Sequence, residues 1–265
     1  MNHLIRAAVV VAVLGGSVGC TSDRFHSLMR VKPVPLTDFL PGKERLERRA
    51  DTFVFHYTWA DTNAVYAADF KNVYIAPFEV SALRQGNGYD RLRDCVVGLD
   101  DAITDLADYG RKAFVQAFAK REKETKLKVV EDPSLPDTMQ VELAITAFAP
   151  TRAEIEIVGT VGSFVCPVPG VDFVADYLAA GSIAVECRVR DMDTNEVVAM
   201  FADTEGDPDA FLQFAKFTYT SSAKINLKRI AQNTVRCCLA EDEKDLRRAF
   251  PYGFLIMPGD AKLDD

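Results

Sequence analysis

Histidine is nearly absent from this 265-residue chain, which carries only His3, His26 and His56. A Ser-His-Asp or Cys-His relay would have to run through His56, and nothing in the sequence sets a nucleophile beside it. No H-E-x-x-H helix and no glycine-rich phosphate loop occurs, so the sequence offers no specific enzyme signal. Paired carboxylates such as Asp100-Asp101 exist, but an acidic chain supplies them anyway. Long apolar runs are missing too. A spanning helix needs about 20 apolar residues, and the run from Ala7 to Val18 is too short and is weakened by Gly15 and Gly16. Positive charge is in deficit, with 31 Lys and Arg against 39 Asp and Glu and a net charge of −8. That balance lacks the phosphate-neutralising surface nucleic acid requires, so no nucleic-acid partner is expected. No internal repeat is present.

What is there is ordinary for a globular protein: 48% hydrophobic and 26% charged residues. The first nineteen residues have the layout of a secretory signal peptide. His3 and Arg6 give a weak positive start, Ala7 to Leu14 is an apolar run, and small residues lead to Cys20. Gly19-Cys20 resembles the lipobox of bacterial lipoproteins, although Ser17 stands where that motif carries a large aliphatic residue. The resemblance implies lipid on Cys20 and a membrane partner through that lipid. Thr21 replaces the Asp that retains enterobacterial lipoproteins at the inner membrane, which implies the outer membrane, facing the periplasm.

With Cys20 lipidated, Cys95, Cys166, Cys187, Cys237 and Cys238 remain, an odd number that cannot all pair internally. Their spacing matches no zinc motif, and small buried apolar side chains are the expected role. Cys166 with Cys187 is the candidate disulfide, since both fall at or near predicted strands and the periplasm is oxidising.

Residues 20–50 read as the lipidated start and a flexible tether, with Pro33, Pro35 and Pro41 and no sustained periodicity. One domain is expected over residues 51–258, with a loose tail at 259–265. Phe53, Phe55, Tyr57 and Trp59 alternate with Thr52, Val54, His56 and Thr58, predicting a strand with four aromatics on one core-facing side. Asn72 to Phe78 predicts a second strand. Residues 89–123 carry apolar residues at helical spacing, with Asp90 as N-cap, acids leading and bases trailing, and Gly110 as a point of bending. Short strands are expected at 126–130, 138–147 and 154–161. Ile183, Val185, Cys187 and Val189 share one face of a strand whose partner is Val197 to Ala202, joined through a turn with Asn195 left-handed. A second helix within 211–240 buries Leu227, Ile230, Ala231, Thr234 and Cys238. The pattern predicts an α+β two-layer sandwich, a mostly antiparallel sheet with two main helices on one face.

Three motifs carry possible chemistry. Ser221-x-x-Lys224 has the spacing of penicillin-recognising enzymes, but their companion motifs are absent and a helix start is the simpler account. Asp191, Asp193 and Asn195 begin like a calcium loop, which Glu196 and Ala202 break where Gly and Glu are required. Neither supports a catalytic or metal site, and no cofactor is expected. Val161 to Ala180 is rich in Gly, Ala, Val and Pro, making Val171, Phe173 and Val174 a candidate partner-contact loop, or else a loop folded over the sheet.

The hairpin from Gly181 to Ala202 resembles a motif of uncharacterised bacterial lipoproteins: a strand with a central Glu, then D-x-x-T-G-E, then a small-apolar strand. Glu186, Asp191, Thr194, Glu196 and Val197 match, and Asn195 replaces Gly. V-Y-I-A-P-F at Val73 to Phe78 looks like the same families' first core strand. The nearest resemblance is to the lipoprotein family catalogued as domain of unknown function 3313, covering the chain beyond about Leu36. No catalytic residues are established for it, so none carry over. The expectation is a non-enzymatic envelope lipoprotein that docks an envelope protein or itself. The alternative is a small-molecule or lipid-binding auxiliary of a transport system.

Overall fold

A computed structural model of the protein describes residues 31–61, 63–64, 69–86, 89–149, 181–206, 220–240 and 243–248. Seven strands form one sheet: β1 Glu47–Arg48, β2 Tyr57–Ala60, β3 Asn72–Ile75, β4 Lys128–Val130, β5 Thr138–Phe148, β6 Ile183–Asp191 and β7 Val197–Glu205. Their order across the sheet is β1-β2-β7-β6-β5-β3-β4. The helices are α1 Ser81–Gln85, α2 Tyr89–Cys95, α3 Leu99–Lys120, α4 Glu122–Thr125 and α5 Ser221–Leu239.

The fold mixes helices and strands as expected, but the sheet is mixed rather than mostly antiparallel. β3 runs parallel to both β4 and β5, while the other pairings are antiparallel. The physical reason lies in the connection. β3 is followed by four helices before β4, and such a crossover returns the chain in the same direction where a hairpin would reverse it.

α3 and α5 pack together beneath the sheet over one apolar core. Its fully buried members include Ile103, Leu106, Phe114 and Phe118 from α3. Val141, Leu143 and Ile145 come from β5, Val185 and Cys187 from β6, and Leu227, Ile230 and Ala231 from α5. Period two in the strands and period 3.6 in the helices put these residues on matching faces. The expected long first helix is cut at Gly98, left-handed at φ 74°, and not at Gly110. α3 runs straight through Gly110, whose bare Cα makes room for the Phe78 ring: a Cβ there would sit 2.9 Å from Phe78 Cζ. Asp90 lies within the first turn of α2 and does not cap it.

The aromatic strand differs from expectation. Pairing begins only at Tyr57, because the chain bends over residues 54–56, where the Val54 N–H donates to Leu246 O. Phe53 and Phe55 therefore enter the core under the helices, Phe55 stacked on Phe201 with centroids 4.1 Å apart. Tyr57 and Trp59 face the other way. The expected start of the fold at Asp51 also shifts. From Val31 the segment read as tether lies along the outer face of the sheet, and Leu40 is 2% exposed there among Met200 and Ala202. The predicted strand at 154–161, residues 211–219 of the predicted second helix, Cys20, Cys166, Val171, Phe173, Val174 and the tail lie outside the described residues.

Candidate functional site: a strapped sheet face and a buried ion cluster

On the outer face, alternation along β5 and β6 points Glu142, Glu186, Arg188 and Arg190 away from the helices. Residues 31–46 cross them as a strap. Glu186, 1% exposed, receives the Thr37 N–H at Oε1 and the Thr37 hydroxyl at Oε2, both at 2.7 Å. Burial lifts its carboxyl above the usual range, and the two bonds from Thr37 pull the other way. Arg188 donates from Nη1 to the Phe39 carbonyl at 2.7 Å, and its guanidinium lies 4.4 Å from the Phe39 ring centroid. Its Nε bonds Glu142, which also accepts from Arg190 Nε at 3.0 Å. Burial alone would raise Glu142, but the two arginines outweigh it and hold that carboxyl below its ordinary value. Farther along, the Val34 N–H donates to Thr204 Oγ1 at 3.2 Å, and Arg45 lies over Trp59 at 4.0 Å. Between strap and sheet is a cavity of about 10 Å³, bounded by Pro33, Leu36, Thr146 and Glu186 among others, with room for about one water.

On the inner side β7 ends in Asp203 and Glu205, both about 2% exposed. Arg248 Nη2 reaches Asp203 Oδ2 at 3.1 Å, and its Nη1 reaches Glu205 Oε2 at 3.2 Å, with a further contact from Nη2 to Glu205 Oε1. The same side chain donates to the carbonyls of Phe53 and Val54 at 3.2 and 3.3 Å. Arg229, from α5, adds a contact to Glu205 at 3.3 Å. His56 Nδ1 stands 2.6 Å from Asp203 Oδ1 and accepts the Thr204 N–H at 3.2 Å. Burial, then the charge of Asp203, push the Glu205 carboxyl up to about 7 against the pull of both arginines. Burial also opposes the charge on Arg248, but Glu205 and Asp203 prevail and hold its pKa above the ordinary value.

A His–Asp couple beside a high-pKa carboxyl has the components for proton transfer. The cavity beside His56 has room for about one water. What the cluster does visibly is fasten. Removing one partner of a buried ion pair costs about 3–5 kcal/mol because it strands the other charge, so Arg248 pins the chain after α5 onto β7 and residues 53–54.

The residues singled out by motif fall into structural positions. Asn195 is left-handed at φ 59°, Asp191 Oδ1 accepts the Asp193 N–H at 2.8 Å, and the Asp191 N–H donates to Glu196 O at 2.9 Å. These bonds build a hairpin turn, and among the described residues no His, Cys, Asp or Glu group could hold a metal ion. Ser221 opens α5, and the Lys224 ammonium lies 5.6 Å from the Tyr109 ring centroid. Cys187 is buried, its candidate disulfide partner Cys166 lies outside the described residues, and burial raises the Cys187 thiol together with Cys237 and with Cys238, which reaches about 12. No helix among the described residues is long and apolar enough to cross a membrane. His56 was visible in the sequence as the only usable histidine. Thr37, Asp203, Glu205 and Arg248 were not, and the one signal for the carboxylates was that alternation continues past Ala202 through Asp203-Thr204-Glu205.

A seven-stranded mixed sheet, helices beneath and a strap above, defines a mixed α and β domain whose polar clusters hold its own segments together. The family described as Protein of unknown function (DUF3313) matches residues 37–233, and the chain belongs to it. That span opens at Thr37 and contains the Glu186 carboxylate it meets. Among the solved structures that match are two PelC dodecamers from Paraburkholderia phytofirmans, the first of them a point variant. They share 7% and 5% identity, each with a TM-score of 0.32, over 65% of this chain and 89% and 90% of theirs. No curated protein matches the chain.

Proposed function

We propose that the protein is an envelope lipoprotein, held by lipid on Cys20 at the outer membrane facing the periplasm, and that its domain docks an envelope protein or assembles with itself without catalysing a reaction. The observation carrying the reading is the junction between leader and fold. A signal-like segment precedes Cys20, and seventeen residues after Cys20 the Thr37 N–H is clasped on the sheet by Glu186, with Arg188 holding the Phe39 carbonyl two residues on. An anchor joined so closely to the fold serves to hold a surface in place.

Mass spectrometry of the mature N-terminus tests the anchor: a diacylglyceryl cysteine at position 20 is expected, and an unmodified Cys20 ends that part of the reading. Crosslinking in intact cells tests the docking role. A specific crosslinked partner or oligomer is expected, and a chain that stays alone in every growth condition removes the role.

A further inference from the structure

The bonds between strap and sheet go to side chains of the sheet. The Val34 N–H meets Thr204, the Thr37 N–H and hydroxyl meet Glu186, and the Phe39 carbonyl and ring meet Arg188. Leu36, Phe39 and Leu40 cover Met200 and Ala202 beside Tyr57 and Trp59. The face of β6 and β7 therefore reads a short segment, Val34 to Leu40. It takes a hydroxyl on a buried carboxylate, an aromatic ring on a guanidinium and a leucine on an apolar patch. Every copy of this chain carries that segment.

The strap and β1 run in opposite directions. Val34 bonds Thr204, and Leu40 lies at Met200, four residues back along β7. β1 then returns: Glu47 pairs with Thr58 and Arg48 with Tyr57, which face Phe201 and Ala202. Residues 41–46 make the reversal. Gly42 is left-handed at φ 67°, and a Cβ there would sit 2.6 Å from Arg45 Nε. A rotation at Gly42 would swing the strap away from the strand that follows it. β1 is an edge strand of the sheet, and Glu47 and Arg48 are both exposed. Across that edge, a second copy's β7 lies beyond its own β1 and β2, about three strand spacings or ~15 Å away. Residues 41–46, extended, span about 20 Å.

We propose that straps exchange between copies: residues 31–41 of one chain dock on the β6–β7 face of a second, which returns its own. The exchange names a surface for self-assembly and rests on the lipid-anchor reading. Docking within a chain and between chains uses the same bonds, so those contacts cancel. What differs is the Gly42 turn, required only within a chain, and the concentration of copies. Exchange of an identical element is a low-cost route to a dimer. Lipid on Cys20 confines copies to one surface, which raises the concentration at which straps meet neighbouring sheets. Val34, where the strap first bonds the sheet, is only fourteen residues after Cys20.

The test uses the mature chain with Cys20→Ser and an N-terminal hexahistidine, held on nickel-chelating lipid in phosphatidylethanolamine and phosphatidylglycerol vesicles. Phe39→p-benzoylphenylalanine places a photo-crosslinker over Arg188. Equal amounts of unlabelled and heavy-nitrogen-labelled chain are mixed in dilute solution, loaded on the vesicles, irradiated and digested. Crosslinked peptides carrying one label of each kind arise only between chains. Mixed-label pairs joining position 39 to β6 or β7 are expected. Gly42→Val should raise their share about threefold, since a β-branched residue is disfavoured at the left-handed φ that docking within a chain requires. Single-label pairs alone, with and without Gly42→Val, overturn the proposal. So do mixed-label pairs scattered away from β6 and β7, and so does a lack of strap–sheet pairs. The nickel lipid replaces the acyl chain, so this result stands apart from the mass of the mature N-terminus, which decides the anchor reading alone.

Discussion

The two faces of the sheet are held by different physics. Beneath it, β5, β6 and β7 press Val141, Leu143, Ile145, Val185 and Phe201 against α3 and α5, where stabilisation scales with apolar area removed from water. Above it, the strap brings a small apolar patch around Leu40, Met200 and Trp59, and its remaining hold is polar: Thr37 on Glu186, Phe39 on Arg188, Val34 on Thr204. A core is forgiving of which contact is lost first, because every contact is shared. A clasp made of a few directional bonds to a buried carboxylate opens when one donor goes. The inner face should therefore set global stability, and the outer face should set local opening.

The largest effect sharpens that contrast on the inner face. Phe114→Ala removes a fully buried ring and should lower unfolding free energy by about 3–5 kcal/mol, read as the urea midpoint. Next, Gly110→Ala forces a Cβ against the Phe78 ring. The gain in helix propensity is up to about 1 kcal/mol, overpacking costs about 1–3 kcal/mol, and a net loss is expected in the same titration.

On the outer face, Thr37→Val leaves the Glu186 carboxylate without its hydroxyl donor, at a cost of about 1–3 kcal/mol. Hydrogen exchange should rise over residues 31–46 while β5 and β6 stay protected. Uniform deprotection would show that the strap and core open as one unit.

Glu205 tests the cluster through pH. Its carboxyl holds a proton up to about pH 7 in the folded chain but only to the ordinary value near 4.5 when unfolded. The folded state therefore binds more protons between those values, and stability from this group is present below about 4.5 and is lost as pH rises towards 7. Glu205→Gln should flatten that decline relative to wild type in urea titrations run across the interval. Identical slopes would remove Glu205 as its source. Smallest of all, Asn195→Gly relieves the left-handed turn but loosens the unfolded chain, so a change within about 0.5 kcal/mol is expected.

Much of the inner face was legible because its signals are periodic. Val185, Cys187 and Val189 alternate, Leu227, Ile230 and Ala231 follow a helical stripe, and Asn195 marks the turn. What escaped depended on partners distant in sequence. The aromatic run broke between Phe55 and Tyr57 because Leu246 captures the Val54 amide, a bond that leaves no trace in local pattern. The strap was invisible for the same reason: its prolines read as a linker, and Glu186, a hundred and forty-nine positions on, decides otherwise. β3 was expected in a mostly antiparallel sheet, and the helices after it return the chain in parallel.

The Thr37–Glu186 clasp has a consequence for the order of events in biosynthesis. Thr37 leaves the ribosome early, but the carboxylate that receives it and the β7 residues beneath Leu40 are made some hundred and fifty residues later. Closing so long a loop carries an entropic cost that only a formed sheet can offset. The strap therefore stays undocked through most of chain elongation, and its docking reports that β6 and β7 have met.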